Sequence, residues 1–272
     1  MFDPLTLALT VGTGLVAGVL AGLLGIGGGV VIVPALLVVF TVGDVDPAVR
    51  VQLAVGTSLA TIVFTSLSSA AAHHRRGALH LRFALGFVPG LVAGAVGGAS
   101  AAVWMPGEVL QLVFGAFLML IALWMVFGRT PEEPRPRRMR PVARLAAGLV
   151  IGGVSAVVGI GGGVMSVPLF VLAAGMTIHH AVGTAPALGL VLSLVGTVTF
   201  VIQGWSEPAL PPGTAGYVAL IPAAVIAGGT VVCAPLGARL AHRLPRRALE
   251  RAFAVLLVVV AVRLVLDAGV PG

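Results

Sequence analysis

The chain has 272 residues, of which 58% are hydrophobic and only 9% are charged. Its mean hydropathy of +1.13 is more than a soluble domain needs, so the composition predicts an all-α polytopic membrane protein without a separate soluble domain. The formal net charge of +7 does not indicate nucleic acid as a partner, because the arginines fall in short connections between apolar segments, which is typical of topology control. The expected surroundings are a lipid bilayer, in the inner (plasma) membrane.

Eight apolar blocks follow one another along the chain. They cover roughly residues 5–40, 50–72, 82–104, 109–128, 142–175, 181–203, 214–236 and 249–267. Most have about the twenty residues that one crossing of a bilayer requires. The first and fifth are too long for one crossing, and each contains a cluster of glycines. Both therefore predict a hairpin of two helices around a break, which gives about eight full spans and up to about ten passes if both hairpin arms cross.

The two glycine clusters share one sequence motif. Residues 25–34 read Gly-Ile-Gly-Gly-Gly-Val-Val-Ile-Val-Pro, and residues 159–168 read Gly-Ile-Gly-Gly-Gly-Val-Met-Ser-Val-Pro. Matching helix breaks in two halves of a membrane protein indicate the central site of a transporter. The helix that resumes after a break offers free N–H groups and a positive dipole end, which favour an anion. The predicted substrate-binding glycines are Gly27, Gly28, Gly29, Gly161, Gly162 and Gly163.

Hydroxyl residues follow each hairpin at the same place. The tripeptide Val-Gly-Thr occurs at residues 55–57 and again at 182–184. Thr57, Ser58 and Thr184 are predicted to bind the substrate, because a hydroxyl can donate to an oxyanion without bringing a charge into the membrane. The alternative, in which each hydroxyl bonds a carbonyl of its own helix, stays open.

Other polar residues give mostly negative indications. No Asp, Glu or Arg lies near the middle of a block, which argues against a carboxylate proton relay. The histidine pairs at 73–74 and 179–180 could bind a metal, but adjacent helical residues point in different directions, so neither metal nor cofactor is predicted. Arg50 could attract anions at the mouth of the second block, although an interfacial anchor is favoured. Ser166 is a weaker candidate, because Ile32 fills the matching position in the first half.

Arginine placement predicts the orientation. The arginine-rich connections, which the positive-inside rule places in the cytoplasm, are 73–82, 129–144 and 237–251. The connections without interior basic residues, expected outside, are 41–49, 105–108 and 204–213. The halves then run in opposite directions, as two inverted repeats of a broken-helix hairpin plus three helices. The predicted division is a first transmembrane repeat (1–128), a cytoplasmic linker (129–141) and a second transmembrane repeat (142–272).

The duplicated motif resembles that of the TauE/SafE sulfite exporter family. The two Gly-Ile-Gly-Gly-Gly-x-x-x-Val-Pro phrases, each followed by Val-Gly-Thr, and the His-Arg-Arg-Gly sequence at 74–77 carry this resemblance, which covers essentially the whole chain. It implies a homodimeric transporter of small sulfur-containing anions, such as sulfite, sulfoacetate or related organosulfonates, often working in export. Family members are usually described with fewer spans than the ten passes counted here.

Three other functions compete with anion transport. A membrane-embedded serine hydrolase needs a serine and a histidine at one depth, but the histidines lie at span ends and no Gly-x-Ser-x-Gly is present, so an enzyme is not expected. A membrane scaffold would use glycines for packing but has no need of inverted symmetry. A transporter of a metal or other cation would use the carbonyls of the breaks instead of their N–H groups, and transport of another organic anion is a further alternative. The sign of the transported charge separates the cation from the anion.

Overall fold

The computed structural model describes residues 4–24, 29–127, 139–241, 254–255 and 257–264. These residues form helices and their connections, with one isolated β-bridge between Thr214 and Ala219. The helices are α1 (Pro4–Leu24), α2 (Gly29–Val42), α3 (Pro47–Arg75), α4 (Leu81–Leu85), α5 (Val88–Trp104), α6 (Gly107–Phe127), α7 (Pro141–Val158), α8 (Gly163–Leu172), α9 (Ile178–Gln203) and α10 (Leu220–Ala241). Residues 257–264 are also helical.

The helices are those of an all-α membrane protein, as predicted. Among the described residues, α3, α7, α9 and the first 18 residues of α6 are each long and apolar enough to cross a membrane. The apolar helices α2, α5 and α8 are shorter, with 14, 17 and 10 residues. With a rise of about 1.5 Å per residue, α2 and α8 reach roughly 21 and 15 Å, which is less than the roughly 30 Å hydrocarbon core of a bilayer.

Both long blocks divide at their glycines. The first becomes α1 and α2, and the fifth becomes α7 and α8. The predicted third block is also divided, into the short α4 and the longer α5. Pro89 lies in the first turn of α5, where proline is well accommodated, and so favours a new helix start at this point. The seventh block begins later than predicted, because residues 214–219 form a turn before α10.

Parts of two predicted connections lie outside the described residues. These parts are 129–138 of the central linker and 242–251 of the last arginine-rich connection.

Glycines let α5 and α7 approach closely and in parallel. A Cβ atom on Gly94 would collide with the Leu149 carbonyl oxygen, and one on Gly98 with the Gly153 carbonyl oxygen. The numbers rise together on the two helices, so they run in the same direction. Close backbone contact through small residues is the usual way in which membrane helices associate, since lipid provides no hydrophobic driving force between them.

The helices α1 and α10 form the corresponding pair. A Cβ on Gly14 would lie 3.1 Å from the Cα of Ile226, and one on Gly18 would lie 2.8 Å from the Cα of Thr230. This pair is also parallel. Each half of the chain thus packs the first arm of its hairpin against a helix of the other half, α1 against α10 and α7 against α5.

The long helices α3 and α9 cross each other antiparallel. Leu59 Cδ1 lies 2.8 Å from the position of a Cβ on Gly196, and Ser66 Oγ lies 2.9 Å from that of a Cβ on Gly189. Residue numbers rise along α3 as those of the facing residues fall along α9, so the two helices run in opposite directions. Each of these two helices follows the hairpin of its own half. They cross in the middle of the molecule, within reach of both hairpins.

Candidate functional site

The two glycine breaks meet. Gly29, the last residue of the first cluster, lies directly against the second cluster: a Cβ on it would be 2.9 Å from both the Gly159 carbonyl oxygen and the Ile160 Cα. It would also be 2.7 Å from Cδ1 of Ile62 on α3. Real Cβ atoms do not approach other heavy atoms so closely, so only glycine fits this contact.

Two of the predicted glycines cannot be placed. Gly27 and Gly28 lie outside the described residues. Gly29 is therefore the described representative of the first cluster, while Gly161, Gly162 and Gly163 are all described.

The second break has the left-handed backbone for which glycine is suited. The φ angles of Gly159, Gly161 and Gly162 are +73°, +73° and +74°. α7 ends where the N–H groups of Gly159 and Ile160 both donate to the Ser155 carbonyl, at 2.9 and 3.2 Å. This is the common way for a helix to end at a left-handed glycine. The glycines of the second cluster thus produce a true interruption of the helix, rather than only a small surface for packing.

Two of the first four backbone N–H groups of α8 lack an acceptor in the described part of the chain. The N–H groups of Gly163 and Ser166 donate back into the break, at 2.9 Å each. Those of Val164 and Met165 have no acceptor among the described residues. Unpaired N–H groups at the positive end of a helix dipole are the usual elements of an anion site.

Ser166 adds a buried hydroxyl in the same turn. Its side chain is fully buried, and its Oγ has no hydrogen-bond partner among the described residues. Such a group calls for an explanation, because buried polar atoms are nearly always paired. From the sequence alone this serine is a weaker candidate, because its counterpart in the first half is the apolar Ile32. Its position in the first turn after the break is the signal that identifies it.

Ser58 connects α3 to the break. Its buried Oγ donates a hydrogen bond to the Gly159 carbonyl at 2.9 Å. Further along α3, Ser66 and the break lie against the same glycine of α9, Gly189. A Cβ atom on Gly189 would be 2.9 Å from Ser66 Oγ and 2.7 Å from the Gly161 carbonyl oxygen. Hydroxyls of α3 therefore lie beside the break at two levels. Of the predicted hydroxyl residues, Ser58 is the one that the structure brings to the glycines.

The two predicted threonines hold connections between helices. Thr57 Oγ1 accepts the N–H of Ala219 at 2.9 Å, and Thr184 Oγ1 accepts the N–H of His80 at 3.1 Å. Both threonines are fully buried, and each bonds the connection that belongs to the other half. Each bond uses an acceptor lone pair, so the hydroxyl proton remains a possible donor.

The same threonines do not lie together. In the antiparallel crossing, where Ser66 faces Gly189, Thr184 lies about five residues beyond Ser66, on the side away from Thr57. At a rise of about 1.5 Å per residue, this places the two threonines roughly 20 Å apart along the helix axes. One small anion therefore cannot contact both at once.

A pair of histidines not predicted from the sequence lies at one end of the bundle. Nε2 of His80 is 3.1 Å from Nδ1 of His180, although the sequence had directed attention to neighbours along the chain. Within the described residues, no group of three His, Cys, Asp or Glu is arranged to hold a metal ion. The pair links the connection after α3 to the first turn of α9.

Comparison with known proteins gives a consistent result. The family model of the sulfite exporter TauE/SafE matches residues 10–264. A probable membrane transporter protein of Haemophilus influenzae is 33% identical over 266 residues, which is 98% of this chain and 100% of the relative. The probable membrane transporter protein YunE of Bacillus subtilis is 31% identical over 209 residues, or 70% of this chain and 77% of the relative. No solved structure matches. The family predicted from the duplicated motif is confirmed, as is a transporter rather than an enzyme: the chain belongs to the sulfite exporter TauE/SafE family of membrane transporters.

Proposed function

We propose that the protein exports small sulfur-containing anions, such as sulfite, sulfoacetate or related organosulfonates, by alternating access. The anion binds at the paired glycine breaks, Gly27–Gly29 and Gly161–Gly163. The observation that carries this proposal is the direct contact of the two breaks, with Gly29 against Gly159 and Ile160. The family name, sulfite exporter, supports a sulfur-containing substrate.

The hydrogen bonding at the second break supports an anion over a cation. Carbonyls of the break already have donors: that of Gly159 accepts from Ser58, that of Gly161 from Gly163, and that of Gly162 from Ser166. A cation would need such oxygens, whereas the N–H groups of Val164 and Met165 have no acceptor among the described residues. An oxyanion supplies the acceptor that they lack.

The hydroxyl residues have different roles in this proposal. Ser58 lies next to the second break and can turn its proton from the Gly159 carbonyl to a bound oxyanion. Thr57 and Thr184 hold the connections of the opposite halves, and each contributes its hydroxyl at a different level of the path.

Alternating access follows from inverted repeats. The equivalent helices α3 and α9 cross antiparallel, the expected relation between counterparts in repeats of opposite orientation. The reciprocal contacts of α1 with α10 and of α7 with α5 agree with a two-fold relation between the halves. Rocking of one half against the other around the fixed breaks would then expose the anion to either side.

The orientation completes the proposal. The arginine-rich connections 73–82, 129–144 and 237–251 lie in the cytoplasm of a cell whose inner membrane holds the protein as a homodimer. An anion leaving an inside-negative cell moves down the electrical gradient, so export requires no coupling ion.

Flux through proteoliposomes tests the proposed function. The purified protein is reconstituted, and uptake of labelled sulfite, sulfoacetate, taurine and sulfate is measured separately under membrane potentials of both signs. We expect flux of at least one sulfur anion that reverses with the potential, and loss of that flux in Gly162→Leu. Flux of a metal cation, or normal anion flux in a folded Gly162→Leu protein, would contradict the proposal.

A further inference from the structure

A cavity with two arginines in its wall begins next to the first glycine cluster. It has a volume of about 620 Å³ and lies between α2, the first turn of α3, α6 and the helical residues 257–264. Its wall on α2 begins at Val30, one residue beyond Gly29, and ends at Val42. At about 1.5 Å per residue, these twelve steps span roughly 18 Å. The cavity thus runs from the first break to the far end of α2.

Positive charge lines this cavity. Arg50 of α3 and Arg263 of the last described helix both face it, together with the polar side chains of Thr41 and Gln111. No acidic residue occurs among its lining residues in the described part of the chain. The rest of the wall is apolar, formed mainly by valine and leucine side chains of α2 and of residues 257–264.

The Arg50 guanidinium is held in place without being neutralised. Its Nε and Nη2 donate to the Val45 carbonyl oxygen, at 3.0 and 2.6 Å. A carbonyl fixes the position of the group but carries no net charge, so this partner leaves the positive charge of Arg50 uncompensated. A fixed guanidinium beside an apolar wall suits an anion that has an apolar part.

We propose that this cavity is a vestibule for an amphiphilic anion, an oxyanionic head on a short apolar group. Since the vestibule leads to the glycine breaks, the inference rests on the proposed function and extends it. The predicted orientation places the end of α2 outside, so the vestibule is the path of an organosulfonate after its release from the breaks. The same chemistry is presented by the headgroup and first acyl carbons of an anionic phospholipid, and the experiment separates these two sources.

Charge-selective labelling of a thiol in the cavity tests the vestibule. Thr41 is replaced by cysteine in a Cys233→Ala background; the Thr41 hydroxyl donates to Leu37 of its own helix, so little else is disturbed. Two methanethiosulfonate reagents of similar size are compared, the anionic sulfonatoethyl and the cationic trimethylammonioethyl form. The measured quantity is the ratio of their labelling rates in phosphatidylcholine vesicles.

The variants have distinct expected results. Arg50→Gln should lower the anionic-to-cationic ratio about tenfold, since it removes a positive charge that attracts the anionic reagent and repels the cationic one. Arg263→Gln should lower it in the same direction, while Arg50→Lys should retain it. Arg82→Gln changes an exposed arginine of α4 that does not line the cavity, and should leave the ratio unchanged. A ratio insensitive to both cavity arginines, or a thiol that reacts with neither reagent, would overturn the proposal.

Protection experiments identify the occupant. If it is a soluble organosulfonate, 1-butanesulfonate slows labelling in phosphatidylcholine vesicles and 1-butanol does not. If it is a lipid, phosphatidylglycerol in the vesicles slows labelling. If neither 1-butanesulfonate nor phosphatidylglycerol slows labelling, the proposed ligand class is wrong. Because labelling requires no transport, a charge-selective thiol in a protein without sulfur-anion flux would contradict the proposed function and leave the vestibule intact.

Discussion

Alanine at position 162 separates a structural from a functional role of the second break. A Cβ there would meet only ordinary contacts, 3.5 Å from Leu192 Cδ1 and 3.6 Å from Ile151 Cγ2. The remaining cost is that of holding alanine at a φ of +74°, about 1–2 kcal/mol. For a chain of this size, that lowers Tm by roughly 2–8 °C, taking about 2–4 °C per kcal/mol. We therefore expect Gly162→Ala to remain folded and in the membrane.

Transport should respond differently. If an anion lies against the backbone here, a methyl group on residue 162 occupies part of its space, and we expect flux in proteoliposomes to fall at least tenfold. Gly161→Ala provides the comparison, because its Cβ would lie 2.6 Å from Cγ2 of the buried Ile62. That variant should lose about 1–3 kcal/mol of stability to overpacking, in addition to the conformational cost.

The assays are thermal unfolding in detergent and anion flux at equal protein density. Gly97→Ala is the control, since outside the adjacent backbone of its own helix no described atom lies within 4 Å of the Cβ position on that glycine. Anion binding against this backbone is ruled out if Gly162→Ala is stable and transports like the wild type. If Gly162→Ala loses as much stability as Gly161→Ala, the geometry around the break is wrong.

Three further predictions concern packing and buried hydrogen bonds. Gly98→Ala should lose about 1–3 kcal/mol because its Cβ collides with the facing helix, whereas Gly97→Ala should be neutral or gain about 0.5–1 kcal/mol; Tm distinguishes them. Thr57→Val leaves a buried N–H unpaired and should cost about 1–3 kcal/mol, and Thr184→Val, whose partner is less buried, should cost less; equal losses would contradict this burial argument. Ser58→Ala should reduce both Tm and anion flux, while unchanged flux would remove Ser58 from the site.

Much of the fold could be predicted because the bilayer imposes simple rules on sequence. Long apolar runs show where helices cross, and the glycine clusters show where two of them break, as the left-handed angles of Gly159 and Gly161 illustrate. The separation of α4 from α5 was missed because both lie in one apolar run. Proline near the start of α5 was the available local signal.

The site could be predicted only in part, because the level of a residue in the membrane depends on how helices cross. The contact of Gly29 with the second break agrees with the prediction from the repeated motif. The distance between Thr57 and Thr184 follows from the antiparallel register of α3 and α9, which no local pattern encodes. Ser166 is a weaker candidate when the repeats are compared, although its fully buried hydroxyl has no partner in the part of the chain that the structure describes.

The most direct test of the account is anion flux in proteoliposomes under an imposed potential. Labelled sulfite, sulfoacetate, taurine and sulfate are offered one at a time to the wild-type protein and to Gly162→Ala. If an anion binds at the glycine breaks, a sulfur-containing anion gives flux that reverses with the sign of the potential and falls at least tenfold in the variant. Flux that is carried by a cation, or that survives unchanged in the folded variant, would contradict binding of an anion at the glycine breaks.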